Sequence, residues 1–455
     1  MENTFFEEKI SMEKLKITMP GAGSGFVLNI AQELLKDPLF AECEFMLYDP
    51  DPVRLGAAEE AVKEFFEKNH AAISLKSSTS LEESIEGSSY IISSCEKNRY
   101  PNWVNDFRIP EKYGVHQLKA ECGGPGGVIH GLRQIALYST IGNAIEKYAP
   151  DAWLMSFSNP MSTICTYFKN YTKVKTVGFC HQVHGSFGVV AEMLGFEPGQ
   201  LEVISAGVNH FNWLFDIRLK GTGKSFMKEF LELVRNSPYW QRKYDNIPRQ
   251  TFTREVLEVF GIYPVGYDEH IAEYSPFFYE HSEWADLDIE SLRGFYEKRV
   301  AEGKRTLEDQ QNAEKTNTFP PFPKDPHHPY YGENPCRVIS ALETNTPCYV
   351  DALNIVNNGA VGNLPADAIL DLPALVIGGQ VRSVHVGDLP PGPCEVTRRQ
   401  VALHEMIAQA AVEGDDSLVL QALCLDPYVR SITQAKNIWR EFRELYREDL
   451  PNFKY

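Results

Sequence analysis

Two residues that can bind soft or borderline metals follow short apolar segments near the middle of the chain. Cys180 follows Val177-Gly-Phe179, and His210 follows Ser205-Ala-Gly-Val-Asn209. Each segment has the length of a strand, and open α/β sheets place their chemistry where strands end. A thiolate and an imidazole suit a borderline divalent ion and leave coordination positions open for substrate oxygens. A buried thiol or a core histidine is the ordinary interpretation of either residue alone, but as a pair they favour a metal site.

A second group of informative residues lies near the N-terminus in a strand–turn–helix–strand pattern. Leu15–Met19 predicts a strand, Val27–Leu35 an amphipathic helix, and Phe45–Tyr48 a second strand that ends at Asp49. Glycines let a backbone approach a pyrophosphate, a helix N-terminus supplies amide donors, and a strand-end acid can bind ribose hydroxyls. The pattern predicts a dinucleotide site, with an ordinary tight turn as the alternative. Its candidate cofactor-binding residues are Gly21, Gly23, Ser24, Gly25, Phe26 and Asp49.

A nicotinamide cofactor beside a thiolate–imidazole metal indicates oxidation of a carbinol. The metal would polarise the alcohol or ketone oxygen as a Lewis acid. These residues leave three possibilities open: a plain sugar or hydroxy-acid dehydrogenase, an enzyme that oxidises its substrate only transiently, and a non-catalytic NAD-binding sensor.

The segments around these residues predict the architecture. Tyr90–Ser94 and Ala152–Phe157 are further strands separated by helical spans, which predicts a doubly wound parallel Rossmann sheet in residues 1–200. Residues 201–455 have a looser pattern and predict a mixed α+β domain of the lactate/malate dehydrogenase type, for metal and substrate binding and oligomerisation. Further predictions are helices at Lys228–Arg235, Ile289–Lys315, Arg398–Glu413 and Ser431–Glu448, and a Pro-rich surface loop at Phe319–Pro335.

Composition limits the possible partners. The 455 residues contain 44 Lys and Arg against 62 Asp and Glu, a net charge of −18, which argues against nucleic acid and anionic membranes as partners. The sequence has no apolar run of membrane-spanning length, and its N-terminus does not resemble a signal peptide. Nine scattered cysteines favour reduced thiols, so we expect a cytoplasmic location.

Longer motifs resemble those of glycoside hydrolase family 4, the NAD- and Mn²⁺-dependent glycosidases. The resemblance extends from the Gly21 turn to Pro390. The α-galactosidase and α-galacturonidase branches are the most similar ones. The motifs are Asp49-Pro-Asp51, Gly123-Gly-Pro-Gly-Gly127, His130-Gly-Leu-Arg133, Ser158-Asn-Pro160, Phe179-Cys-His181, Ala206-Gly-Val-Asn-His210, Tyr267-Asp-Glu-His270, Glu273-Tyr-Ser-Pro276, Asn354-Ile-Val-Asn-Asn-Gly359 and Asn363-Leu-Pro365.

The resemblance implies hydrolysis by a route other than the usual pair of carboxylates. NAD⁺ takes a hydride from C3 of the sugar, which acidifies the proton on C2. A base removes that proton, the metal stabilises the enolate, and the aglycone leaves by β-elimination. Water then adds and the hydride returns to C3, so NAD⁺ is not consumed. The implied substrate is a neutral α-hexoside (galactoside or glucoside) or an anionic glycoside such as a uronide or a sulfonated sugar.

The same resemblance implies roles for individual residues. Cys180 and His210 are the metal ligands, and Asn159 contacts the substrate hydroxyls near the metal. The base is Tyr267 or Asp268, and His181 stands where phospho-glycosidases often carry an acid for the leaving group. Asn98, Arg99, His130 and Arg133 are further candidate substrate contacts. We also expect a homodimer or homotetramer.

Overall fold

The structure is a computed structural model that describes residues 14–117, 119–236, 251–266, 268–276 and 334–454. The predicted helix Ile289–Lys315, most of the predicted loop Phe319–Pro335, and Tyr267 lie outside these ranges. In the described part, no helix is both long enough and apolar enough to cross a bilayer.

Six parallel strands form the first half of one continuous sheet, in the order β3-β2-β1-β4-β5-β6. This is the strand order of dinucleotide-binding domains and confirms the predicted doubly wound Rossmann sheet. β1 and β4 are almost wholly buried, as expected of strands covered on both faces. The strands are β1 Lys16–Pro20, β2 Glu44–Tyr48, β3 Ser74–Ser78, β4 Tyr90–Ser93, β5 Trp153–Ser156 and β6 Lys175–Gly178.

Antiparallel strands continue the same sheet beyond β6, in the order β10-β11-β7-β8-β9, and β12 pairs with β11. The junction pairs Asn354 of β10 with Gly178 of β6. The strands of the second half therefore extend the Rossmann sheet instead of forming a separate one. The strands are β7 Leu201–Val208, β8 Phe211–Leu219, β9 Pro264–Val265, β10 Cys348–Val356, β11 Ile369–Ile377 and β12 Gln380–Ser383.

Helices cover both faces of this sheet. The α-helices of the described part are α1 Val27–Leu34, α2 Pro52–Lys68, α3 Leu81–Ile85, α4 Arg99–Glu111, α5 Gly124–Tyr148, α6 Met161–Tyr171, α7 Gln182–Leu194, α8 Met227–Asn236, α9 Thr251–Phe260, α10 Asp268–Glu273, α11 Pro335–Thr344, α12 Pro391–Glu413, α13 Asp416–Leu425 and α14 Ile432–Leu445. Short 3₁₀ helices lie at Pro38–Phe40 and Pro198–Gln200. α12 begins earlier than predicted, because the preset φ of proline suits the first turn of a helix.

The C-terminal helices pack against the Rossmann half and support the elements that carry the site residues. α12 packs against α5 and α6, and α14 packs against α4. Tyr428, after α13, donates its hydroxyl to the carbonyl of Ser275, which follows α10. The closing helices thus support α5 and α10, both of which carry site residues.

Candidate active site

The Gly-rich turn after β1 has the backbone conformation that a dinucleotide loop needs. Gly21 has φ +79°, and a Cβ there would lie 2.1 Å from the carbonyl oxygen of Ser94. The Asp49 carboxylate accepts hydrogen bonds from Gly23 N at 3.1 Å and from Asp51 N at 3.0 Å. Asp49 therefore links the turn to the end of β2 by hydrogen bonds. A carboxylate at this position can also accept hydrogen bonds from the ribose hydroxyls of a dinucleotide.

The beginning of α1 is open to an anion. Phe26 stands at the N-cap and gives no side-chain cap, and the N–H of Val27, the first helical residue, donates only a long bond of 3.5 Å to the carbonyl of Ser24. The buried Ser24 hydroxyl has no hydrogen-bond partner among the described residues. Gly25 precedes Phe26, whose ring lies 5.4 Å from that of Phe157, at the end of β5. The turn and helix together fit a pyrophosphate.

His210 occupies a strained hairpin turn at the end of β7. Val208 pairs with Phe211 across a two-residue turn, and His210 takes φ +69°, which is uncommon for a residue with a side chain. Burial, and then the neighbouring His270, lower the pKa of His210 well below its usual value. A neutral imidazole results, which is the form that binds metals. Its Nδ1 lies 3.4 Å from Sγ of Cys122.

Four buried side chains surround this position as one cluster. Glu121, His210, His270 and Glu273 each offer a donor atom, and the four atoms lie within 4.8 Å of one another. They come from three places: the loop before α5, the β7–β8 turn, and α10. Two imidazoles and two carboxylates at this spacing are suitable for a divalent cation of the Mn²⁺ or Zn²⁺ type.

Glu273 fixes the geometry of the cluster. Its Oε2 accepts hydrogen bonds from three successive backbone N–H groups, those of Glu121 at 2.8 Å, Cys122 at 2.5 Å and Gly123 at 3.1 Å. Gly123 is also the N-cap of α5, so the carboxylate lies where the helix dipole favours a negative charge. Its Oε1 lies 3.2 Å from His270 Nδ1.

The charges of the cluster are strongly coupled. Burial would raise the pKa of Glu121, but the opposing positive charges, of which Lys119 is the strongest, hold it well below its usual value. Burial and the charge of Glu121 raise the pKa of Glu273. Lys119 also donates a hydrogen bond of 2.8 Å to His270 Nε2. An ionised Glu121 beside a neutral His210 is therefore the arrangement that the site presents to a cation.

Asn159 and Cys180 lie at the ends of the neighbouring strands β5 and β6. Asn159 donates from Nδ2 to Glu121 Oε1 at 3.2 Å, and its buried Oδ1 has no partner among the described residues. Cys180 is 6% exposed and packs against Met161 and Cys165. The structure thus brings Asn159 to the cluster directly, whereas Cys180, at the end of the adjacent strand β6, is not one of the four clustered donors.

Two candidates for proton transfer occupy different environments. Asp268 is fully buried and accepts hydrogen bonds from Phe252 N at 3.1 Å and from Thr253 N and Oγ1 at 2.9 and 2.6 Å. This is the pattern of a carboxylate that caps the first turn of α9, and it leaves Asp268 poorly suited to act as a base. His181 is exposed at the N-cap of α7.

The candidate substrate contacts on α4 and α5 are held by carboxylates. Arg133 makes a bidentate ion pair with Asp106, at 2.8 and 2.6 Å, and both are buried. His130 Nδ1 lies 2.8 Å from the carbonyl oxygen of Glu121, and its Nε2 lies 3.4 Å from Glu96. Burial lowers the pKa of His130, but Glu96 outweighs that effect and the net shift is upward. His130 and Arg133 line a cavity of about 250 Å³.

Arg99 and Asn98 lie at the start of α4. Arg99 lies between Glu96 at 3.2 Å and Glu121 at 3.5 Å, over the ring of Trp103. Asn98 is the exposed N-cap of the helix, with φ +50°, and gives no side-chain cap. Arg99 is therefore the substrate-contact candidate that reaches the buried cluster through Glu121.

Sequence models of protein families show which family the chain belongs to. The Family 4 glycosyl hydrolase model matches residues 16–196, and the model of the C-terminal domain of that family matches residues 205–429. The chain belongs to glycosyl hydrolase family 4. This family 4 enzyme is therefore a glycoside hydrolase, which confirms the predicted enzyme class.

Individual relatives span nearly the whole chain. An alpha-galactosidase of Bacillus subtilis (strain 168) is 29% identical over 445 residues, covering 96% of this chain and 100% of the relative. An alpha-galacturonidase of Thermoanaerobacterium saccharolyticum is 27% identical over 409 residues, covering 83% and 84%. A 6-phospho-alpha-glucosidase from gut microorganisms, solved with NAD and Mn²⁺, matches the fold with a TM-score of 0.78 at 19% identity, covering 97% of this chain and 100% of that one.

Several residues of the candidate site were not predicted from the sequence. Glu121 and Cys122 precede the Gly-rich start of α5, and Lys119 precedes them. His270 and Glu273 lie three residues apart on α10, a spacing that puts them on one helix face. That spacing, together with the family motifs in which both residues lie, is the signal that could have marked them.

Proposed function

We propose that this family 4 enzyme hydrolyses an α-glycoside with NAD bound at the Gly21 turn and a divalent cation, Mn²⁺, held by Cys180 and His210. One observation carries the proposal. The dinucleotide turn and the buried cluster around His210 both lie where the strands of one sheet end, after β1, β5 and β7. Family relatives solved with NAD and Mn²⁺ support the choice of cofactors.

The chain's own groups fit these cofactors. The Ser24 hydroxyl, which has no partner among the described residues, and the N-terminus of α1 suit a pyrophosphate. Asp49 would accept ribose hydroxyls and repel a 2′-phosphate, so NAD is preferred over NADP. A neutral His210 and a buried thiol suit a borderline cation.

The reaction we propose is the transient-oxidation route. The bound cofactors would supply a hydride acceptor for C3 and a Lewis acid for the sugar oxygens. Asn159 orients the hydroxyls with its amide, and Tyr267 removes the C2 proton. A tyrosine needs nearby positive charge to ionise, and the metal and nicotinamide would provide it. His181, at the start of α7, is the candidate for protonating the leaving group.

The sugar that fits best is a neutral α-hexoside, a galactoside or glucoside. Each basic side chain that the described residues place around the cluster already faces a carboxylate. Arg133 is paired with Asp106, and Arg99 and Lys119 face Glu121. Using Arg133 to bind a uronide or sulfonated sugar would require its pair with Asp106 to break, which leaves a buried carboxylate uncompensated.

We propose that residues 1–200 bind NAD, and that residues 201–455 complete the metal site and carry the subunit contacts of a homodimer or homotetramer. His210, His270 and Glu273 belong to the second part, while Glu121 and Asn159 come from the first. The reaction centre would therefore be shared between the two parts.

A substrate panel tests the proposal. p-Nitrophenyl α-galactoside and α-glucoside should be hydrolysed with NAD⁺, Mn²⁺ and a thiol reductant, faster than the α-galacturonide. Chelation should abolish the activity and Mn²⁺ should restore it, and Cys180→Ser should lose Mn²⁺ affinity while keeping its fold. Net accumulation of NADH with sugar would instead indicate a plain dehydrogenase.

A further inference from the structure

We propose that Glu121 is a third protein ligand of the divalent cation and adds a carboxylate oxygen to Cys180 and His210. This inference rests on the proposed function, which supplies the cation. It also changes the expected chemistry of the site, because a hard oxygen donor beside sulfur and nitrogen favours Mn²⁺ more than a purely soft pair does.

Distances make the assignment possible. One oxygen of Glu121 and one nitrogen of His210 belong to the set of donor atoms that lie within 4.8 Å of one another. Donors on one octahedral ion lie about 3 Å apart when adjacent and about 4 Å apart when opposite, for metal–oxygen bonds near 2.1 Å. Small side-chain rotations would therefore bring both atoms onto one ion.

The loop that carries Glu121 is built to hold this carboxylate in place. Ala120 has φ +58°, a strained value for a residue with a Cβ. The next three N–H groups are all bound by Glu273 Oε2. A Cβ on Gly123 would lie 2.4 Å from the backbone oxygen of Glu273, so loop and helix are in direct contact. Strain of this kind persists where the surroundings enforce a functional geometry.

The other two members of the cluster, His270 and Glu273, already form hydrogen bonds within the protein. Glu273 Oε2 binds three amide groups, and its Oε1 binds His270 Nδ1. His270 Nε2 accepts from Lys119, so both of its ring nitrogens are engaged. We therefore assign His270 and Glu273 to positioning, as outer groups that orient metal ligands.

Glu121 retains capacity for a ligand, and polar atoms beside it point to one. Its cationic neighbours Lys119 and Arg99 lie at 3.6 and 3.5 Å, beyond short hydrogen-bond range. Asn159, which donates to Glu121, leaves its buried Oδ1 unpartnered among the described residues. Asn209, adjacent to His210, is 1% exposed, and neither of its amide atoms has a partner in that part of the chain. Buried polar atoms without partners usually mark a missing ligand or water.

Mn²⁺ binding tests the assignment without reference to turnover. The full chain with NAD⁺ and reductant is titrated with Mn²⁺, and the free ion is followed by electron paramagnetic resonance. Glu121→Gln should raise the Kd at least about tenfold, since loss of even an outer partner of a metal ligand has an effect of that size. Glu96→Gln is the matched control, because Glu96 also faces Arg99 but is not in the cluster. Its Mn²⁺ Kd should change less than twofold.

Diffraction gives a second readout that does not depend on a variant folding. Anomalous data from wild-type crystals with Mn²⁺ should place a Glu121 oxygen about 2.2 Å from the ion. A distance above about 4 Å, or an unchanged Kd in a folded Glu121→Gln, would overturn the inference. If Cys180→Ser still loses Mn²⁺ in that case, the proposed function stands. Absence of Mn²⁺ binding by the wild type would overturn both.

Discussion

The imidazole rings of His210 and His270 lie with their centroids 3.8 Å apart, although one residue comes from the β7–β8 turn and the other from α10. Lys119 and Glu273 bind the two nitrogens of His270 and so hold its ring against His210. The candidate metal site therefore exists only when three distant segments of the chain are packed together. Changes that disturb this packing should affect metal binding before they affect the dinucleotide turn.

Substitution of Asp268 should lower the stability of the fold but not the activity of the enzyme. Because its carboxylate accepts three hydrogen bonds at the start of α9, Asp268→Asn should destabilise the fold by about 1–3 kcal/mol. Activity well below the melting temperature should stay within a few-fold of wild type. Tyr267→Phe should do the opposite, keeping Tm and losing about 10²-fold or more in kcat. A large loss of kcat in a stable Asp268→Asn would restore Asp268 as the base.

The buried Arg133–Asp106 pair should act as a structural element. Arg133→Met leaves Asp106 buried without its partner, which should cost about 3–5 kcal/mol and lower Tm clearly. Arg133→Met combined with Asp106→Asn should recover part of that loss, because no uncompensated charge remains. KM for the preferred α-hexoside should stay near the wild-type value in both. An unchanged Tm with a raised KM would show that Arg133 binds substrate.

His404 should make the fold less stable in acid. It is buried in α12, its Nδ1 has no partner among the described residues, and burial lowers its pKa to about 4. In the unfolded chain its pKa is about 6.5, so the unfolded state binds the extra proton as pH falls through that value. The stability loss approaches roughly 1.4 kcal/mol per pH unit below about 6.5 and levels off near the folded pKa.

The variant His404→Leu isolates this effect, because all other titrating groups are shared with the wild type. The Tm of the wild type, relative to the variant, should be lower at pH 5 than at pH 7. The same Tm difference at both pH values would show that His404 has a partner or is exposed to solvent.

The sequence predicted those elements that are determined by residues close together in the chain. Alternating apolar residues and a Gly-rich turn indicated β1, α1 and β2, strand ends suggested Cys180 and His210, and the family resemblance suggested Asn159. The turn after β1 needs a positive φ and a close contact with Ser94 at Gly21. Because only glycine satisfies both, the requirement is visible in the sequence.

Other features have causes that are distant in sequence. The sequence predicted a helical span between β4 and β5 but not the bounds of α5, because its residues from Gly124 to Ile135 are buried all round and show no amphipathic period. Glu121 meets Glu273 and His210 only through tertiary packing. Asp268 and His270 are close in sequence, yet one faces α9 and the other faces the cluster. Adjacent positions in a motif therefore did not have the same role.

This enzyme should cleave a glycosidic bond through a transient oxidation, and hydrolysis in D₂O tests that route most directly. The released sugar should carry deuterium at C2, because the proton removed there exchanges with solvent before it is returned. NADH should not accumulate, since the hydride goes back to C3. Release of a sugar with only hydrogen at C2, at full rate and without NAD⁺, would contradict the account.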